Sequence, residues 1–138
     1  GVGFEKGEGY QHLIQTDVVA EMHDRRRSCL IRIPFTPDPE ALDGANRAEL
    51  RIRYDDGFVA YLNGTEIARR NLNGEPDGDS GASASRSDTA AVSLETIDIS
   101  AHHGLLEGAG ENVLAIHGLN LSSGSPDFLI SADLRVLR

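Results

Sequence analysis

Apolar and polar residues alternate along most of this chain, and helical spacing is scarce. Ser28 to Phe35 reads as a strand with Cys29, Ile31, Ile33 and Phe35 on one face, closed by the breakers Pro37 and Pro39. Ala48 to Tyr54 sets Leu50, Ile52 and Tyr54 against Glu49, Arg51 and Arg53. Asp55-Asp56-Gly57 is a turn signal, followed by a second strand from Phe58 to Leu62. Asn63-Gly64 then marks a two-residue hairpin, because both residues accept positive φ, and Thr65 to Arg70 completes a predicted three-strand meander.

The pattern lapses from Asn73 to Ala91, a stretch of Gly, Ser, Asp and Ala with little to bury, which predicts a long loop. Strands resume at Val92 to Ile99, Asn112 to Leu119 and Asp127 to Val136. Ser100 to Leu106 suits a short helical turn before the hinge Gly108-Ala109-Gly110, and Tyr10 to Met22 suits one or two further strands. About eight strands separated by turns predict an all-β sandwich or jelly roll.

Length fits one domain spanning residues 1–138, with enough chain for a core. No apolar run approaches the ~20 residues that cross a bilayer, so membrane insertion is not expected. The opening Gly-Val-Gly-Phe-Glu is not a signal peptide, and a domain excised from a larger protein is the expectation. The net charge of -9, from 22 acidic against 13 basic residues, would repel a phosphate backbone and argues against nucleic acid. The run Arg25-Arg26-Arg27 is short and reads as a solvated turn or strand edge. The lone cysteine, Cys29, forms no internal disulfide and falls at a buried strand position.

Leu50-Arg51-Ile52-Arg53-Tyr54-Asp55-Asp56-Gly57-Phe58-Val59-Ala60-Tyr61-Leu62-Asn63-Gly64-Thr65-Glu66-Ile67-Ala68-Arg69 resembles the central meander of galactose-binding-like jelly-roll domains. Gly1-Val2-Gly3-Phe4-Glu5, Leu13 to Val18, Ile31 to Phe35, Asn112 to Asn120 and Asp127 to Ile130 extend the likeness over nearly the whole chain. Together they resemble a bacterial extracellular family found in large surface or secreted proteins beside lamin-tail or CotH-kinase-like domains. The resemblance implies a jelly-roll sandwich, an extracellular or cell-surface location, glycan binding in some relatives and sometimes a structural calcium. The loop Gly78 to Ser83 departs from that pattern, since it lacks the aromatic residue that often follows the meander.

Sugar sites commonly stack an aromatic ring on a pyranose face. With no Trp in the chain, the strand after Asp55-Asp56-Gly57 offers the best ring. Phe58, Ala60 and Leu62 share one face and Val59 and Tyr61 the other; Phe58 is expected inside and Tyr61, with its polar tip, partly outside. Tyr61 with Arg53 and Arg69 on adjacent strands would form a glycan or carboxylate platform, and His117, opposite Ile116, is a further ligand candidate. Asp55 and Asp56 are too close in sequence to face each other across a glycosidic bond, and are expected to accept backbone N–H bonds at a hairpin. Asp77-Gly78-Asp79-Ser80-Gly81 lacks the distal Glu of an EF-hand. For calcium, the resemblance nominates Glu5, Asp17 and Asp133. No Ser/His/Asp motif or His pair indicates catalysis, so the expectation is a non-catalytic carbohydrate-binding or accessory module, with neighbouring domains of the parent chain as further partners. The alternative is a structural spacer with no small-molecule ligand.

Overall fold

A computed structural model describes residues 1–7 and 9–138. Its strands are β1 (Val2–Glu5), β2 (Thr16–Asp17), β3 (Ser28–Phe35), β4 (Arg47–Asp55), β5 (Gly57–Leu62), β6 (Thr65–Arg70), β7 (Glu95–Asp98), β8 (Asn112–Leu119) and β9 (Asp127–Leu137). They form two sheets, ordered β2-β1-β9-β4-β7 and β3-β8-β5-β6. Short helices α1 (Val19–Met22), α2 (Pro39–Leu42) and α3 (Asp88–Ala91) punctuate them. The domain is therefore an all-β sandwich.

Alternation explains the core. Leu50, Ile52 and Tyr54 of β4 meet Phe58, Ala60 and Leu62 of β5, Leu114 and Ile116 of β8, and Phe128 and Ile130 of β9, all buried between the sheets. Burying each large side chain contributes about 1.5–3 kcal/mol before chain entropy is counted. Gly118 makes the close approach possible, because a Cβ there would collide with the Phe128 ring.

The observed elements correct the sequence reading in three places. β4 and β5 lie in different sheets, so Asp55-Asp56-Gly57 is a crossover between layers and not a hairpin turn. Only β5 and β6 form the tight hairpin, with Leu62 opposite Thr65, and Asn63 and Gly64 at φ 48° and 86°. The segment from Tyr10 to Met22 holds a 3-10 turn, the two-residue β2 and α1 in place of full strands, because its apolar residues pack in two groups, Tyr10, Leu13 and Ile14 in one cluster and Val18, Val19 and Met22 in the main core. Val2–Glu5, too short and Gly-rich for a periodic signal, is a strand because it pairs with β9.

Candidate functional site

The outer face of the β3-β8-β5-β6 sheet carries a cleft. Register places Leu30 beside His117 and His117 beside Val59, so these side chains share one face, together with Arg32, Ala115 and Tyr61 two residues along their strands. Residues 71–87 fold back over this face. Ser28 Oγ donates to Ser80 O at 2.5 Å, Arg27 Nε to Asp79 O at 2.8 Å, and the Ala82 amide to Asn120 O at 2.8 Å. Ala82 and Leu72 cover Val59 and Leu119. A cleft of about 360 Å³ remains, lined by Leu30, Arg32, Tyr61, Asp77, Ala115 and His117 among others. Leu30 is 71% exposed there and offers an aliphatic surface to the cleft.

Tyr61 and His117, nominated separately from the sequence, both line this cleft. Phe58 lies fully inside and Tyr61 is half-buried. Arg69 stands beside Tyr61 on β6, but its guanidinium is held by Glu66 in a two-point pair and by Gly74 O. Arg53 is the correction: it lies on β4 in the opposite sheet, donating to Val92 O, and belongs to no platform with Tyr61. Leu30, Arg32 and Asp77 are lining residues that the sequence reading missed. A leucine out of phase with Cys29, Ile31 and Ile33 was the available signal.

His117 is buried, with Nε2 2.9 Å from Ser28 Oγ. The Ser28 hydroxyl spends its proton on the Ser80 carbonyl, so it accepts from His117 Nε2–H. Burial lowers the imidazole pKa, keeping the ring neutral, and Nδ1 is then left as an acceptor. Asp77 raises that pKa through space, yet its carboxylate accepts the Asp79 amide at 2.8 Å. Ser28 and His117 are therefore a hydrogen-bonded structural pair, which Asp77 joins by no hydrogen bond. A nucleophile would need the proton transfer to run from Ser28 to His117.

A second constellation occupies one end of the sandwich. Glu5 ends β1, Asp127 opposite it starts β9, and Asp88 opens α3. Their nearest carboxylate oxygens all lie within 4.8 Å of one another. Glu5 Oε1 accepts the Tyr10 amide at 2.8 Å, whereas the buried Oε2 has no partner among the described residues. Beneath them Tyr10 donates to Asp55 Oδ2 at 2.8 Å. Burial, then a hydrogen bond and charge from Asp56, push Asp55 up to about 9. Burial and the charge of Asp88 push Asp127 up to about 6. Asp56 accepts the amides of Arg86 and Leu121 at 2.8 and 2.9 Å, so it does bind backbone, pinning two loops.

Of the residues nominated for calcium, only Glu5 joins this cluster. Asp17 is exposed and accepts the Val19 amide at the start of α1. Asp133 lies on the outer face, in a bidentate pair with Arg51 at 2.7 and 2.8 Å. Asp77 and Asp79 close a turn away from the cluster. Asp88 and Asp127 were overlooked because the contact is made across 122 positions of chain, from 5 to 127, and no spacing rule reaches that far. No known protein family, curated protein or solved structure matched the chain.

Proposed function

We propose that this domain is a non-catalytic carbohydrate-binding module of a secreted multidomain protein, built as a galactose-binding-like jelly roll. The observation that carries the reading is the outer-face cleft. It combines an aromatic ring (Tyr61), an exposed aliphatic (Leu30), a guanidinium (Arg32), a carboxylate (Asp77) and a neutral His117 in one concavity. That mixture of apolar surface and a few convergent polar groups suits a hydroxyl-rich ligand, and about 360 Å³ falls within the ~300–1,000 Å³ range of small-ligand sites.

A calcium ion fits the acidic end. The donors are all carboxylate oxygens, which suit a hard cation, and the orphaned Glu5 Oε2 lacks the partner that a buried oxygen requires. Glu5, Asp88 and Asp127 would hold the ion, which would relieve the crowding of like charges and tie β1, β9 and α3 together.

A glycan-array screen of the purified domain, with calcium and again with chelator, tests the proposal. Binding to a defined glycan class, lost in Tyr61→Ala but retained in Arg53→Ala, is the expected result, with both variants folded. Silence across the array from a well-folded sample would overturn it and favour a structural spacer.

A further inference from the structure

The tripeptide Leu-Asn-Gly occurs twice in the chain, as Leu62-Asn63-Gly64 and as Leu72-Asn73-Gly74. In an Asn-Gly pair the backbone amide of the glycine can attack the side-chain carboxamide, because no Cβ hinders the approach. An unfolded chain would treat the two sites alike, since the same residues flank each asparagine. Both asparagines are exposed, so access to water does not distinguish them. What differs is the freedom of the side chain.

Asn63 is held at both ends of its carboxamide. Its Nδ2 donates to Leu105 O at 2.8 Å and to Asn112 Oδ1 at 2.9 Å, and its Oδ1 accepts the Val113 amide at 2.9 Å. Asn112 is fully buried and itself fixed, accepting the Glu107 amide and donating to Glu107 O. The Asn63 carboxamide therefore cannot turn toward Gly64 without breaking three hydrogen bonds. Asn73 lies beyond β6, outside any helix or strand. Among the described residues its side chain has no hydrogen-bond partner, and the Gly74 amide donates to none. The chain around it is anchored: Leu72 packs over Val59, and Gly74 O accepts from Arg69 Nη1 at 2.6 Å.

We propose that Asn73 is a site of spontaneous deamidation which the fold leaves open, while it closes the same chemistry at Asn63. The Gly74 nitrogen bonds to Asn73 Cγ and passes its proton to the departing side-chain nitrogen, which leaves as ammonia. Solvent water then opens the cyclic imide at either carbonyl. One opening leaves an aspartate; the other leaves an isoaspartate, with the main chain rerouted through Cγ. Either product puts a carboxylate next to the Gly74 carbonyl that Arg69 holds. The isoaspartate also lengthens the main chain by a methylene, which displaces Gly74 O from the guanidinium. Pro76, Asp77 and Gly78 follow directly and rim the outer-face cleft, so the modification reshapes that rim.

The test is to incubate the 138-residue chain at pH 8, folded and in urea, and to follow both sites by peptide mass spectrometry. Cleavage after Arg53, Arg69, Arg70 and Arg86 places Asn63 and Asn73 on separate peptides. In urea both should convert at one rate. In the folded chain Asn73 should yield separable aspartyl and isoaspartyl forms, and Asn63 should convert about tenfold more slowly or less. Amide NMR of the aged folded sample should show shifts confined to residues 69–78, with residues 62–65 unmoved. Equal folded rates overturn the proposal, as does an Asn73 that stays intact over the time both sites convert in urea. A converted sample whose residues 69–78 have not moved overturns the effect on the rim.

Discussion

Asp55 is a carboxylic acid whose chemistry departs far from its type. Burial, then the hydrogen bond and charge of Asp56, push its pKa up to about 9, against the opposing donation of the Tyr10 hydroxyl. An unfolded chain releases that proton near pH ~4. Between those values the folded state binds more protons, so Asp55 makes stability fall as pH rises through the window. Asp127, pushed up to about 6, adds to the same trend over its lower part. Urea unfolding at pH 5 and pH 8 without divalent cations should therefore show greater stability at pH 5. Asp55→Asn should flatten the difference; an unchanged slope would mean that the carboxyl is ionised in the fold. Gly64 is the other decisive residue. At φ 86° nothing crowds its missing side chain, so the cost of substitution is conformational. Gly64→Val should destabilise by about 1–3 kcal/mol in the same measurement.

At the scale of elements, the long loop is a structural part of the sheet it covers. Arg86 is its principal pin: its amide bonds Asp56, its guanidinium bonds the Tyr54 hydroxyl and Ala90 O, and its charge lies 4.0 Å from the Tyr54 ring centroid. Arg86→Ala should cost about 1–3 kcal/mol and speed amide exchange in residues 71–87 more than in β8. Uniform acceleration throughout the sandwich would show that the loop and sheet open as one unit. None of this pinning was legible in a stretch of Gly, Ser and Asp, because hydrogen bonds to backbone leave no periodic trace. The β5–β6 hairpin was legible, since Asn63 and Gly64 encode their own geometry. So was the inward face of β3, where alternation and burial are the same fact. The crossover at Asp55-Asp56-Gly57 was not: a turn signal says that the chain bends, and the layer it bends toward is set by packing of Phe58 against Tyr54, at 4.9 Å between ring centroids.

For the whole molecule, five of the 22 acidic residues, Glu5, Asp55, Asp56, Asp88 and Asp127, converge at one end of the sandwich. Like charges so placed oppose folding unless protons or a cation offset them. Protons do so at low pH; calcium would do so at neutral pH by binding only the folded arrangement. A ligand present at about a hundred times its Kd stabilises by roughly 2.7 kcal/mol, on the order of 10 °C in the unfolding temperature for a domain of this size. Adding calcium should raise that temperature and chelator should reverse it. Glu5→Gln should abolish the response, and Asp133→Asn, whose carboxylate is spent on Arg51, should leave it intact. Since Asp127 must lose its proton to ligate, the rise should be larger at pH 8 than at pH 5. A calcium response independent of pH, or one surviving in Glu5→Gln, would place the ion elsewhere on the acidic surface and leave the Glu5 carboxylate without its second partner.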